Sequence, residues 1–103
     1  MDRGTQFDEC MLDIYRRAKD ECDCVATRFL QMVVERGGVE AAHDLLASSE
    51  WSDGLTKLWE CGRLDLTVET LVLREEFEPL FSEEERVVAR RRLDEVSEQS
   101  AER

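Results

Sequence analysis

Phe7-Asp8-Glu9-Cys10-Met11-Leu12-Asp13-Ile14-Tyr15-Arg16-Arg17-Ala18 is the stretch whose spacing decides the fold. Its apolar residues Phe7, Cys10, Met11, Ile14, Tyr15 and Ala18 recur at intervals of 3, 1, 3, 1 and 3, which sets all six on one face of a 3.6-residue helix. The pattern predicts an amphipathic helix over residues 6 to 21. Asp20, Glu21 and Asp23 follow at the negative end of the helix dipole, where acids are disfavoured, so Cys22 to Cys24 reads as a connection.

The same period continues outward. A second helix is expected over 25 to 36, with Phe29, Leu30, Met32 and Val33 inward, and Gly37-Gly38 ends it. A third runs from Val39 to Ala47 on Val39, Ala42, Leu45 and Leu46; the two-glycine joint leaves little slack, so its neighbour must lie close. After the polar turn Ser48-Ser49-Glu50-Trp51-Ser52, Ser52 or Asp53 can cap a short fourth helix reaching Cys61, with Leu55, Leu58 and Trp59 as its stripe. Gly62 ends that helix, and a fifth is expected from about Leu66 to Leu73, capped by Asp65 or Thr67. The alternation Leu64, Leu66, Val68 would also suit a strand, but no matching alternation exists to pair with it. Pro79 marks a connection over Glu75 to Phe81. Ser82-Glu83-Glu84-Glu85 is a capping box opening a last helix to about Val96 over Val87, Val88, Leu93 and Val96, with Arg86 and Arg90 to Arg92 paired to acids three or four residues away.

These segments sum to an all-α domain, a compact bundle of about six short helices over 6–96, with 1–5 and 97–103 expected to be flexible. The chain of 103 residues suffices for one core and not for two. Its 42% hydrophobic content is too large and too regular for a disordered polyelectrolyte, despite 38% charged residues.

Three stretches, Ala26-Thr27-Arg28-Phe29-Leu30-Gln31-Met32, Gly37-Gly38-Val39-Glu40-Ala41-Ala42 and Gly62-Arg63-Leu64-Asp65-Leu66-Thr67-Val68-Glu69, together resemble a widespread family of short, uncharacterised bacterial proteins. The resemblance covers about residues 8 to 95 and extends through Val72-Leu73, Phe77 and Leu80-Phe81. Asp23-Cys24-Val25 stands where that family has Gly-Tyr-Asn, and Leu55 where it has Phe. The resemblance implies a bacterial source and a fold; it implies no activity, cofactor or catalytic residue.

The formal charge is −11, and ten acids against three bases place −7 of it on residues 37–81. Such a field repels phosphate backbones and anionic membranes and favours basic partners. The first residues show no basic-then-apolar leader, and no stretch approaches the roughly 18 apolar residues of a membrane span. A cytoplasmic protein is therefore expected, with Cys10, Cys22, Cys24 and Cys61 reduced and no disulfide framework.

Chemistry-bearing groups are sparse. Cys22-x-Cys24 has one intervening residue and no second pair, unlike structural zinc sites, so no metal is expected. His43 stands beside Asp44, yet adjacent helical residues point about 100° apart, and no triad or paired-carboxylate arrangement is legible, so neither a catalytic residue nor a cofactor is expected. Asp53 to Leu73 has the outline of a helix-turn-helix, but Lys57 and Arg63 face Asp53, Glu60, Asp65 and Glu69, which disfavours direct nucleic-acid binding.

Arg63 and Asp65 lie between two apolar helices. One reading has Asp65 capping the fifth helix and Arg63 paired with an acid such as Glu69. The other makes Arg28, Arg63 and Asp65 a recognition surface, with Trp51, in its polar turn, as an interface anchor. The function expected is a non-catalytic protein–protein interaction module whose acidic middle, around Glu50 to Glu78, docks a basic or mixed partner protein. The alternative is a nucleic-acid mimic that inhibits a DNA-handling defence enzyme, although its acids are interleaved with bases instead of set in rows.

Overall fold

The computed structural model describes residues 2–48 and 54–101, with six α-helices: α1 (Arg3–Cys22), α2 (Thr27–Arg36), α3 (Gly38–Ala47), α4 (Leu55–Glu60), α5 (Val68–Val72) and α6 (Glu83–Ala101). Two 3₁₀ segments, Leu64–Leu66 and Glu75–Leu80, join α4 to α5 and α5 to α6. No strand occurs among the described residues, and no helix there is long and apolar enough to cross a membrane. The expected turn residues Ser49, Glu50, Trp51 and Ser52, and the alternative cap Asp53, lie outside the described residues.

α1 is the spine. Phe7, Met11, Ile14 and Ala18 are buried along it, as the spacing predicts. It starts at Arg3, earlier than position 6, because the Asp2 carboxylate accepts a hydrogen bond from the Thr5 N–H (3.0 Å) and so caps a turn that apolar periodicity alone does not mark. It ends at Asp23, whose left-handed φ of 53° is a conformation that Asp tolerates better than most residues with a Cβ. Phe77 and Phe81 fold back from the proline-containing segment onto Phe7, each with its ring centroid 5.1 Å from the Phe7 ring, the first edge-on.

The α2–α3 joint explains the double glycine. Gly37 adopts φ 86°, open to glycine and strained for other residues. Gly38 is required for a different reason, since a Cβ there would meet Asp8 Cα at 2.9 Å and Asp8 Oδ1 at 2.6 Å. α3 thus abuts α1 almost backbone to backbone, and Ala41 and Ala42, both fully buried, maintain that approach. Asp8 also accepts a hydrogen bond from the Gly38 N–H (2.6 Å), so an acid on α1 caps α3 from outside.

α6 begins at the expected capping box: the Ser82 N–H donates to Glu85 Oε1 (2.9 Å) and the Glu85 N–H to Ser82 Oγ (3.1 Å). The other Glu85 oxygen pairs with His43 Nδ1 on α3, and the His43 ring sits 5.0 Å from that of Phe81. Burial alone would raise the Glu85 carboxyl, but the hydrogen bonds from His43 and from the Ser82 backbone outweigh it and hold the group below the usual carboxylate range. α6 runs to Ala101, beyond Val96. Its buried face is Ala89, Arg92 and Val96, while Val87, expected inside, is 56% exposed.

Arg92 corrects the expectation of intrahelical pairing along the basic run. Only 4% exposed, it donates to the carbonyls of Leu45 (2.9 Å), Leu46 (3.4 Å) and Ser48 at the end of α3, and meets the fully buried Glu69 carboxylate of α5 at 3.5 Å. Arg91 keeps an intrahelical partner in Glu95, whereas Arg86 pairs with Glu78 in the preceding 3₁₀ segment.

A second correction concerns the cysteines. Cys22 and Cys61 are joined in a disulfide, their Cα atoms 6.0 Å apart, which ties the end of α1 to the end of α4. Sequence spacing offers no hint of it, since 39 positions separate the pair. Cys24 is buried and Cys10 half-buried, both as thiols.

Arg92→Met should cost about 3–5 kcal/mol in urea unfolding, because it removes the buried cation that the Glu69 carboxylate and the α3 carbonyls share. Arg92→Lys should recover less than half of that loss, since one ammonium cannot reach the whole set. Gly38→Ala should cost about 1–3 kcal/mol by forcing α3 away from Asp8, with an unchanged denaturant slope.

Candidate functional site

Two surface features are candidates for a functional site. The first is the corner that the sequence singles out. Arg63, just before the Leu64–Leu66 turn, makes a two-pronged contact with Asp65 (Nε–Oδ1 3.0 Å, Nη2–Oδ2 3.1 Å) and a further ion pair with Glu21 at the end of α1. Glu21 is also held by Arg17 one turn back (3.0 Å), and Lys57 of α4 donates to the Asp23 carbonyl (2.8 Å). The corner is therefore a charged ring that bridges α1, α4 and the 3₁₀ turn beside the Cys22–Cys61 bond.

Of the structural reading of Arg63 and Asp65, the pairing of Arg63 with an acid is present, with Glu21 and Asp65 as the acids. Arg63 does not pair with Glu69, which lies in the core against Arg92. Asp65 does not cap α5; Thr67 does, its hydroxyl accepting from the Thr70 N–H (3.1 Å) and donating to the Leu64 carbonyl (2.8 Å). Arg28 is exposed in the first turn of α2 and has no ion-pair partner among the described residues, so the structure does not join it to the corner. Trp51 lies outside the described residues.

The hydrogen bond from Arg63 lowers Asp65, and hydrogen bonds from Arg63 and then Arg17 lower Glu21; Asp65, then Glu21, raise Arg63 in return. All three groups are charged across the ordinary pH range, which suits a fixed electrostatic label and not proton transfer.

The second feature follows from the Glu75–Leu80 segment. Two surface grooves, of about 590 and 650 Å³, flank Arg3 and Pro79, which line both. Glu75, Glu78 and Glu83 rim one, Asp2 and Glu76 the other, and Phe81 and Leu80 contribute apolar lining. Arg86 and Arg74 moderate the acidity, at 3.6 Å from Glu78 and 3.7 Å from Glu76. Sequence reading locates the acidity in the middle of the chain; the groove stays hidden because a proline-containing connection does not disclose that it folds into a 3₁₀ turn against the start of α1.

The remaining candidates are structural. The pocket beneath α4, lined by Cys24, Leu55, Leu58 and Glu69 among others, has room for about 20 Å³, roughly one water and not a metabolite. In the segment with a helix-turn-helix outline, α5 has four of its five residues buried and presents no face to a nucleic-acid groove. Cys22 and Cys24 do not act as a pair: one is bonded to Cys61, and the sulfur of the other sits 2.7 Å from where a Cβ on Gly54 would be.

No protein-family model, curated protein or solved structure matches the chain. Any function assigned to it must therefore come from its own geometry.

The depressed carboxylates make the corner sensitive to acid. Because both folded-state values lie below the ordinary ones, their contribution is present above the ordinary carboxylate range and is lost as pH falls through the depressed midpoints. In an NMR titration, Arg63→Met should raise the Asp65 midpoint toward its ordinary value. Glu21 should keep part of its depression through Arg17, and unchanged midpoints would refute the assignment.

Proposed function

We propose that this chain is a non-catalytic interaction module that docks a basic segment of a partner protein along the acid-rimmed grooves between the first turn of α1 and the Glu75–Leu80 segment. The observation that carries the reading is the placement of Asp2, Glu75, Glu76, Glu78 and Glu83 around an apolar strip containing Pro79, Leu80 and Phe81. Apolar lining with a charged rim is the anatomy of a protein-docking surface, where the rim steers encounter and the strip supplies contact.

The arrangement supports a protein partner over the nucleic-acid mimic. A mimic needs acids in uninterrupted rows, and here Glu76 and Glu78 are each partnered by an arginine. The Arg63 corner is the second polar face, already internally matched, and is suited to setting orientation more than to supplying affinity. The proposed setting is the cytoplasm, as read from the sequence.

The test is direct binding. A fluorescent amphipathic peptide rich in Lys and Arg, measured by anisotropy, should bind saturably and weaken with salt, and an otherwise identical Glu-rich peptide should not bind. Glu75→Lys/Glu78→Lys/Glu83→Lys should reduce affinity at least about tenfold. Equal binding by this variant, or displacement of the peptide by an unrelated neutral protein, would reject the groove.

A further inference from the structure

We propose that Cys22–Cys61 is a thiol–disulfide exchange site, opened by small-molecule thiols from the Cys61 side, and that its state decides whether α4 is clamped to α1. The bond's two ends differ in access: Cys61 is exposed at the end of α4, and Cys22 is half-buried at the end of α1. Attack at an exposed sulfur is the accessible route to exchange, and exposed disulfides are the labile ones.

The element the bond holds is short. α4 has six residues and, among the described residues, no side-chain cap at its start, where Gly54 takes φ 80°. Leu55 and Leu58 bury one face; Lys57 on the helix donates to the Asp23 carbonyl, and just past its end the disulfide and the Arg63–Glu21 pair tie the chain to the end of α1. A helix of this length has little stability of its own and depends on such ties. The covalent tie is the one that changes with redox state.

The exchange balances. A small thiolate attacks Cys61 Sγ, and the S–S electron pair leaves on Cys22 sulfur, which takes up a proton. A second small thiolate attacks the small-thiol sulfur of the mixed disulfide and frees Cys61, which is protonated in turn. Two small thiols become one small disulfide while the protein gains two electrons and two protons; a small disulfide reverses the sequence. The other two cysteines stand aside. Cys24 is enclosed under Gly54, and Cys10, whose thiol burial pushes up, is held half-buried near Arg74.

This rests in part on the cytoplasmic setting proposed above, where disulfides are mostly transient or redox-sensing. It does not rest on the docking groove, whose failure would leave the redox result unchanged.

The purified chain is equilibrated in buffers of graded reduced and oxidised glutathione, then alkylated and mapped by mass spectrometry, with hydrogen exchange measured on each sample. Cys22 and Cys61 should become alkylated together in one step at millimolar reduced glutathione, while far-ultraviolet circular dichroism shows the helical fold retained. Exchange protection over 55–60 should fall at least about tenfold in the same step. Cys24→Ser and Cys10→Ser should leave the step in place. The proposal is overturned if the bond resists glutathione until the chain unfolds, if it opens with protection over 55–60 unchanged, or if Cys22 pairs with Cys24 instead.

Discussion

The guanidinium of Arg92 is the constraint on which the other elements depend. Burying an ion costs several kcal/mol unless it is matched, and here one cation satisfies the open carbonyls at the end of α3 and the Glu69 carboxylate of α5 at once. A positive charge at a helix C-terminus also complements the α3 dipole. The positions of α3, α5 and α6 are thereby coupled, because moving any one of them breaks contacts made by the same buried guanidinium. Apolar contacts alone would tolerate sliding; this junction does not.

What could be read from the chain was whatever is local. The α1 stripe, the Gly37-Gly38 joint and the Ser82–Glu85 capping box each depend on residues a few positions apart, and each is present in the structure. What could not be read was pairing over distance. Arg92 sits in a basic run beside acids, and by local rules it belongs to solvent; only the end of α3, more than forty positions earlier, makes burial favourable. Asp8 capping α3 and Cys22 bonding Cys61 fail to show for the same reason. Of the surface features, the link between Arg63 and Asp65 was within reach, being two residues apart, while Glu21 and the groove beside Pro79 required the fold.

The motif residues divide accordingly. Phe29 enters the core, Gly38 admits α3 to α1, Thr67 caps α5, and Glu69 receives Arg92. Those roles are structural and involve no ligand. Arg63 and Asp65 are different: they point outward, and what they stabilise is a surface.

The Cys22–Cys61 bond also changes the chain's topology. With its ends 39 positions apart, it closes α2, α3 and α4 into a covalent ring, from which α1 up to Glu21 and everything after Cys61 emerge as two tails. Tension applied to those tails would pass through the sulfur bridge and bypass the ring, so the three enclosed helices would bear no load while it is intact. A single backbone cut inside the ring would likewise leave one molecule in the oxidised chain and two in the reduced one.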